Sequence, residues 1–116
     1  MDHRIFAYGS LRVRQRHHHL LGEALLLGMH TTDPVFTMLD LGPYPGVIPG
    51  GDTAIVGEVY AVQHALLRRI DKLEDCPRTY RRIPLSTPFG NAWLYLYRSV
   101  RGDEARVASG DWLHRG

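Results

Sequence analysis

The chain has 116 residues, of which 44% are hydrophobic, enough to bury the core of one domain over 1–116 and too few to plan for two. Its 14 basic and 12 acidic side chains nearly cancel to a net charge of +2, so nothing in the balance argues for nucleic acid. A single cysteine, Cys76, excludes an intrachain disulfide and suits a reducing compartment.

Residues 3–8 read as a first strand, His3-Arg4-Ile5-Phe6-Ala7 running into Tyr8. It ends in Tyr8-Gly9-Ser10-Leu11, where glycine permits a tight turn and a close approach of a ligand. Successive free N–H groups in such a turn form a concave anion site. Residues 12–22 are polar and basic, with Arg12, Arg14, Arg16 and His17-His18-His19, and read as a short helix or loop with a solvated face. The three consecutive histidines do not converge on one tetrahedral ion, and no further Cys or His pair completes a metal site.

Glu23 to Met29 reads as a strand, as does Val35 to Leu39 between Pro34 and Gly42-Pro43. Residues 42–52, rich in glycine and proline, read as a stiffened loop whose Tyr44, Val47 and Ile48 pack onto something. Ile55 to Val62 follows as a strong strand. Gln63 to Glu74 is the one clear helix. Leu66, Leu67, Ile70 and Leu73 share an apolar face, His64, Arg68, Arg69 and Lys72 fall mostly opposite, and Pro77 lies beyond the end. Tyr80 to Leu85 and Ala92 to Tyr97 are two more strands, joined through Pro88-Phe89-Gly90-Asn91. The second is apolar on both faces, as in a strand covered on two sides or lining a cavity. Six or so strands and one main helix make an α+β domain with a mixed sheet or small barrel.

Glu74 lies four residues after Ile70 and seven after Leu67, which puts a carboxyl on the inward helix face. Burial and the negative end of the helix dipole both disfavour its charge and predict a raised pKa, as wanted in a general acid–base. A fray outward, or a pair with Arg78 or Arg81, is the plainer alternative. Asp71 and Asp75 flank it and read as solvated acids. Cys76 follows a helix C-terminus, which does not favour a thiolate, and reads as a packed small residue. Ser10 lacks the G-x-S-x-G setting of a serine hydrolase, and no phosphate-binding glycine motif is present.

Together these pieces resemble the γ-glutamylcyclotransferase-like family, including its γ-glutamylamine branch. The resemblance rests on Tyr8-Gly9-Ser10-Leu11, Tyr44-Pro45-Gly46, Gly57-Glu58-Val59-Tyr60, and Glu74-Asp75-Cys76-Pro77 with Tyr80 and Arg82, in that order and separation. It implies a small β-barrel with flanking helices around a cavity at one side. Glu74 would be the catalytic acid–base, with Tyr8, Gly9, Ser10 and Leu11 as the substrate-binding loop and Tyr44 and Tyr80 as pocket walls. The implied reaction closes a γ-glutamyl amine or amide to 5-oxoproline and releases the amine, with no cofactor and no metal. The expected partner is a small γ-glutamyl compound, with no nucleic acid and no membrane. No signal peptide or apolar run long enough to span a bilayer is visible, so a cytoplasmic protein is expected. A non-catalytic member that binds a small metabolite in the same cavity is the alternative. Asp75 departs from the glycine that many members carry after the glutamate. The sequence leaves the oligomeric state and the leaving amine open.

Overall fold

The computed structural model describes residues 2–22 and 24–115. In chain order the elements are β1 (His3–Ala7), a 3-10 turn (His18–Leu21), β2 (Leu25–Thr31), β3 (Phe36–Asp40), β4 (Pro45–Pro49), β5 (Val56–Val62), α1 (His64–Leu73), β6 (Tyr80–Thr87), β7 (Gly90–Tyr97), β8 (Ala105–Arg106) and a 3-10 turn (Trp112–His114). Five strands form one sheet in the order β2-β5-β1-β7-β6, and three form a second in the order β4-β3-β8. The first sheet is mixed, because β1 runs antiparallel to β5 and parallel to β7.

The five-stranded sheet is covered on both faces, and strand alternation sorts its side chains. Phe6 and Tyr8 from the β1 side, Val59 of β5, and Ala92, Leu94 and Leu96 of β7 face the second sheet. There they pack with Phe36, Met38, Val47 and Trp112. Ile5 and Ala7 of β1, Tyr60 and Val62 of β5 and Tyr95 of β7 face the other way, onto Leu67 and Ile70 of α1 and onto Leu11 and Leu21. The two-sided apolar pattern read in β7 is thus a strand between two cores.

Several expectations are corrected. The barrel is not closed: β2 and β6 end the larger sheet and do not pair. Eight strands are present among the described residues, two more than the six or so expected. One of the additions, β4, lies inside the proline-rich stretch read as a loop. It pairs with β3 from Asp40↔Pro45 to Phe36↔Pro49 and has no partner on its other side. An edge strand tolerates proline because the missing N–H faces away from the ladder. In place of flanking helices, α1 is the only α-helix among the described residues. The strand expected from Glu23 starts at Leu25 and continues to Thr31, with Glu23 itself outside the described residues. Trp112 is 2% exposed and fills the core of its own chain.

Candidate active site

Four parts of the chain meet at the C-terminal end of β1. The loop after β1 brings Tyr8, Gly9, Ser10 and Leu11, the start of β4 brings Tyr44 and Pro45, the end of α1 brings Leu73, Glu74 and Asp75, and the start of β6 brings Thr79 and Tyr80. With Tyr95 as a further wall they line a cavity of about 190 Å³. All seven residues expected at the site, Tyr8, Gly9, Ser10, Leu11, Tyr44, Glu74 and Tyr80, fall on this one cavity.

Glu74 closes α1 as its C-cap, with φ −81° and ψ 0°, and its N–H bonds the Ile70 carbonyl. Asp75 follows at φ +50°, in the left-handed region that glycine ordinarily occupies at this point. Its N–H bonds the Lys72 carbonyl and the Cys76 N–H bonds the Asp71 carbonyl, the paired pattern that ends a helix abruptly. An aspartate holds that conformation because its carboxylate accepts from Thr79 Oγ1 at 2.8 Å and from Arg78 at 3.0 Å. Those bonds keep the Asp75 carboxyl below its usual range and occupied at the rim.

The Glu74 carboxyl has no hydrogen-bond or ion-pair partner among the described residues, and the pairs with Arg78 or Arg81 considered from sequence do not form. Burial pushes its pKa up to about 7. Around it stand three phenols whose donors are spent elsewhere. Tyr8 donates to the Tyr95 carbonyl at 2.6 Å, Tyr80 to the Pro45 carbonyl at 2.9 Å and Tyr95 to Asp71 Oδ1 at 2.6 Å. All three are raised far above the ordinary tyrosine value, first by burial and in part by the Glu74 charge, so they stay neutral struts. Tyr44 is 40% exposed and forms the rim.

Gly9 is required by contact: a Cβ there would stand 2.8 Å from Cγ and Cδ of Pro45. Gly9 accepts the Arg12 N–H and Ser10 accepts the His17 N–H, which folds the loop back on itself. The N–H groups of Gly9, Ser10 and Leu11 have no acceptor among the described residues, leaving three successive donors at the cavity wall.

Three readings of the flanking residues change. Asp71 is not a solvated acid: it accepts Arg82 Nε at 2.8 Å and a second Arg82 nitrogen at 3.1 Å, and Arg82 stacks 4.2 Å above the Trp93 ring. Arg12 is not on a solvated face but is 3% exposed, paired with Glu58 and Asp111. His17 is a cavity wall whose Nδ1 is buried without a partner, and burial lowers its pKa. Cys76 is packed against the core under α1 with its thiol pKa raised by burial. Sequence reasoning did not identify Tyr95, Thr79 or His17 at the site. For Tyr95 a signal existed, in the aromatic face of β7. Among the described residues no cluster of three or more His, Cys, Asp or Glu could hold a metal ion, and no helix is long and apolar enough to cross a membrane.

A small α+β domain with an unpaired, partly buried carboxyl and a row of free backbone donors on one cavity has the layout of a small-molecule site. Comparison with known proteins makes the class specific. The sequence model of the family described as gamma-glutamyl cyclotransferase, AIG2-like, matches residues 5–114. The Escherichia coli K12 gamma-glutamylcyclotransferase family protein YtfP is 41% identical over 112 residues, 97% of each chain. The solution structure of the Escherichia coli protein ytfP matches with a TM-score of 0.80, again over 97% of each chain. A crystal structure of a Pyrococcus horikoshii protein matches with a TM-score of 0.83 at 30% identity, over 96% of this chain and 90% of its own. The mouse gamma-glutamylaminecyclotransferase is 34% identical over 90 residues, 70% of this chain and 60% of its own length. The chain belongs to the AIG2-like γ-glutamylcyclotransferase family.

Proposed function

We infer that the protein cyclises a γ-glutamyl amine or amide to 5-oxoproline, with Glu74 as the general acid–base. The observation that carries this reading is the unpartnered Glu74 carboxyl, raised to about 7, on a cavity that also presents the Gly9–Leu11 donors. A group titrating near neutrality can both take and return a proton at working pH.

The substrate carries an α-carboxylate and an α-ammonium on one carbon. The loop N–H groups clamp the carboxylate, which is anionic throughout the reaction and suits a fixed row of donors. The adjacent ammonium then gives a proton to Glu74. The freed amine attacks the γ-carbonyl carbon of the same molecule, forming the ring C–N bond and a tetrahedral oxyanion. Collapse of that intermediate restores the carbonyl and breaks the old C–N bond. The departing amine takes the proton back from Glu74, and the ring nitrogen, which attack leaves with two protons and a positive charge, gives one of them to water to become the neutral lactam N–H. Ring closure within one molecule needs a folded conformer, and a small cavity walled by Tyr8, Tyr80 and Tyr95 favours that conformer over extended ones. The mouse relative, named a gamma-glutamylaminecyclotransferase, supports a γ-glutamyl amine as the substrate class to try first. Seven expected site residues on one cavity support the same reading.

The test is 5-oxoproline release from a panel of γ-glutamyl amines and γ-glutamyl amino acids, with Glu74→Gln beside the parent. Release by the parent, reduced about 100-fold or more in the variant, is the expected outcome. Turnover that survives Glu74→Gln removes Glu74 as the base. No release from any compound by the folded parent, together with 5-oxoproline binding, turns the reading to a metabolite-binding protein.

A further inference from the structure

The donors of the Gly9–Leu11 loop are held from behind by charges outside the cavity. Arg12 follows Leu11 directly and, like Glu58, is only 3% exposed. Its Nε donates to Glu58 Oε2 at 3.1 Å and an Nη donates to Asp111 Oδ1 at 2.8 Å. Glu58 projects from β5 and its other oxygen accepts the Val13 N–H at 3.0 Å and the Tyr60 hydroxyl at 2.7 Å. One carboxylate therefore grips both the Arg12 side chain and the backbone just after it.

Asp111 belongs to the C-terminal segment. It also accepts the Leu113 N–H at 3.1 Å and pairs with the His114 ring at 2.9 Å, beside the buried Trp112. Arg12 and Asp111 are 99 residues apart in sequence, so the contact ties the loop to the last part of the chain.

A buried ion network is a poor source of stability, because desolvation of the charges offsets most of their attraction. It is a good source of direction: the guanidinium is planar, and two of its edges are claimed by two different carboxylates. We propose that Arg12 is a positioning residue for the Gly9–Leu11 donors, and that Asp111 makes docking of the C-terminal segment a condition of their geometry. The catalytic consequence rests on the proposed role of those donors as the clamp for the substrate carboxylate; the geometric claim does not.

The experiment compares Arg12→Lys and Asp111→Asn with Leu85→Ala, which truncates a half-buried β6 side chain packed against the core, in the whole chain. Backbone amide NMR spectra and steady-state kinetics on the best γ-glutamyl substrate are recorded for each folded variant. Both network variants are expected to shift the amide signals of Gly9, Ser10 and Leu11. They are expected to raise KM about tenfold while kcat stays within about threefold, since the carboxylate clamp acts equally on bound substrate and transition state. The pH limb that reports Glu74 is expected to stay in place. Leu85→Ala is expected to lower stability without moving the loop amides or KM. Unmoved loop amides in both folded network variants overturn the proposal; moved amides with an unchanged KM overturn its catalytic consequence, the clamp role of those donors. Should Arg12→Lys fail to fold, Asp111→Asn carries the test, because the Asp111 side chain is 18% exposed and its loss leaves the Arg12–Glu58 pair intact. Absence of 5-oxoproline release by the parent defeats the cyclotransferase reading alone, and the amide shifts then decide the positioning claim.

Discussion

At the residue scale, the proposed chemistry turns on one carboxyl whose environment disfavours its charge. Glu74 ionises near pH 7 in the folded chain, against 4.5 for the ordinary group. A carboxyl with a raised folded pKa is more protonated in the folded than in the unfolded state between those two values. Stability therefore falls as pH rises from 4.5 to 7, with no penalty below that window and the full penalty above it. Glu74→Gln should then unfold like the parent at pH 4 and be more stable at pH 8.5, by on the order of 2 kcal/mol once water at the cavity mouth is allowed for. Urea melts at the two pH values check this; equal midpoints at pH 8.5 would mean that the carboxyl is well solvated. In activity the sign reverses. With Glu74 as the proposed base, turnover by the parent should rise through pH 7 as it loses its proton, measured as the pH profile of 5-oxoproline release.

At the element scale, the end of α1 and the loop after β1 were legible for different reasons. The i, i+4 and i, i+7 relation of Glu74 to Ile70 and Leu67 is a property of any helix, and both apolar residues are indeed buried. The departure at Asp75 was visible but not its resolution, because a left-handed aspartate needs Arg78 and Thr79, and those bonds exist only after the chain turns. Glu58 lies in the strand Ile55 to Val62, and nothing local names its partners: Arg12, which Asp111 also holds, comes from the other end of the sequence from Asp111. The strand β4 was hidden because two prolines and a glycine mask β-branched Val47 and Ile48, and only an edge position makes those residues compatible with a ladder. Gly9 links the two elements. Gly9→Ala would drive a methyl group into Pro45 and separate the loop from β4. We expect a loss of about 1–3 kcal/mol in stability together with a raised KM, measured by urea denaturation and steady-state kinetics. Unchanged values would show that Pro45 yields freely.

At the scale of the whole molecule, the mixed α+β class was readable from strand count and the single helix, whereas sheet order and closure were not. A parallel β1–β7 pair and an antiparallel β1–β5 pair depend on which elements cover the sheet, and that is decided by cores shared among distant segments. Trp112 is the clearest case. Nothing local in the sequence fixes its contacts, and it sits between the sheets with Phe6, Met38 and Leu94. Trp112→Ala should cost about 3–5 kcal/mol, read from denaturant melts, and a cost below about 1 kcal/mol would mean that the core collapses over the gap.

The open side of the larger sheet has a consequence of its own. Between the unpaired edges, the ring of Phe89, in the hairpin joining β6 and β7, lies where a side chain at Gly28 of β2 would begin, with 2.6 Å between its Cζ and such a Cβ. The seam is thus fastened by a snap of aromatic against bare backbone rather than sewn with amide–carbonyl bonds. Parting this contact would break no ladder, whereas β1, β7 and β6, which carry much of the cavity, are joined by ladders.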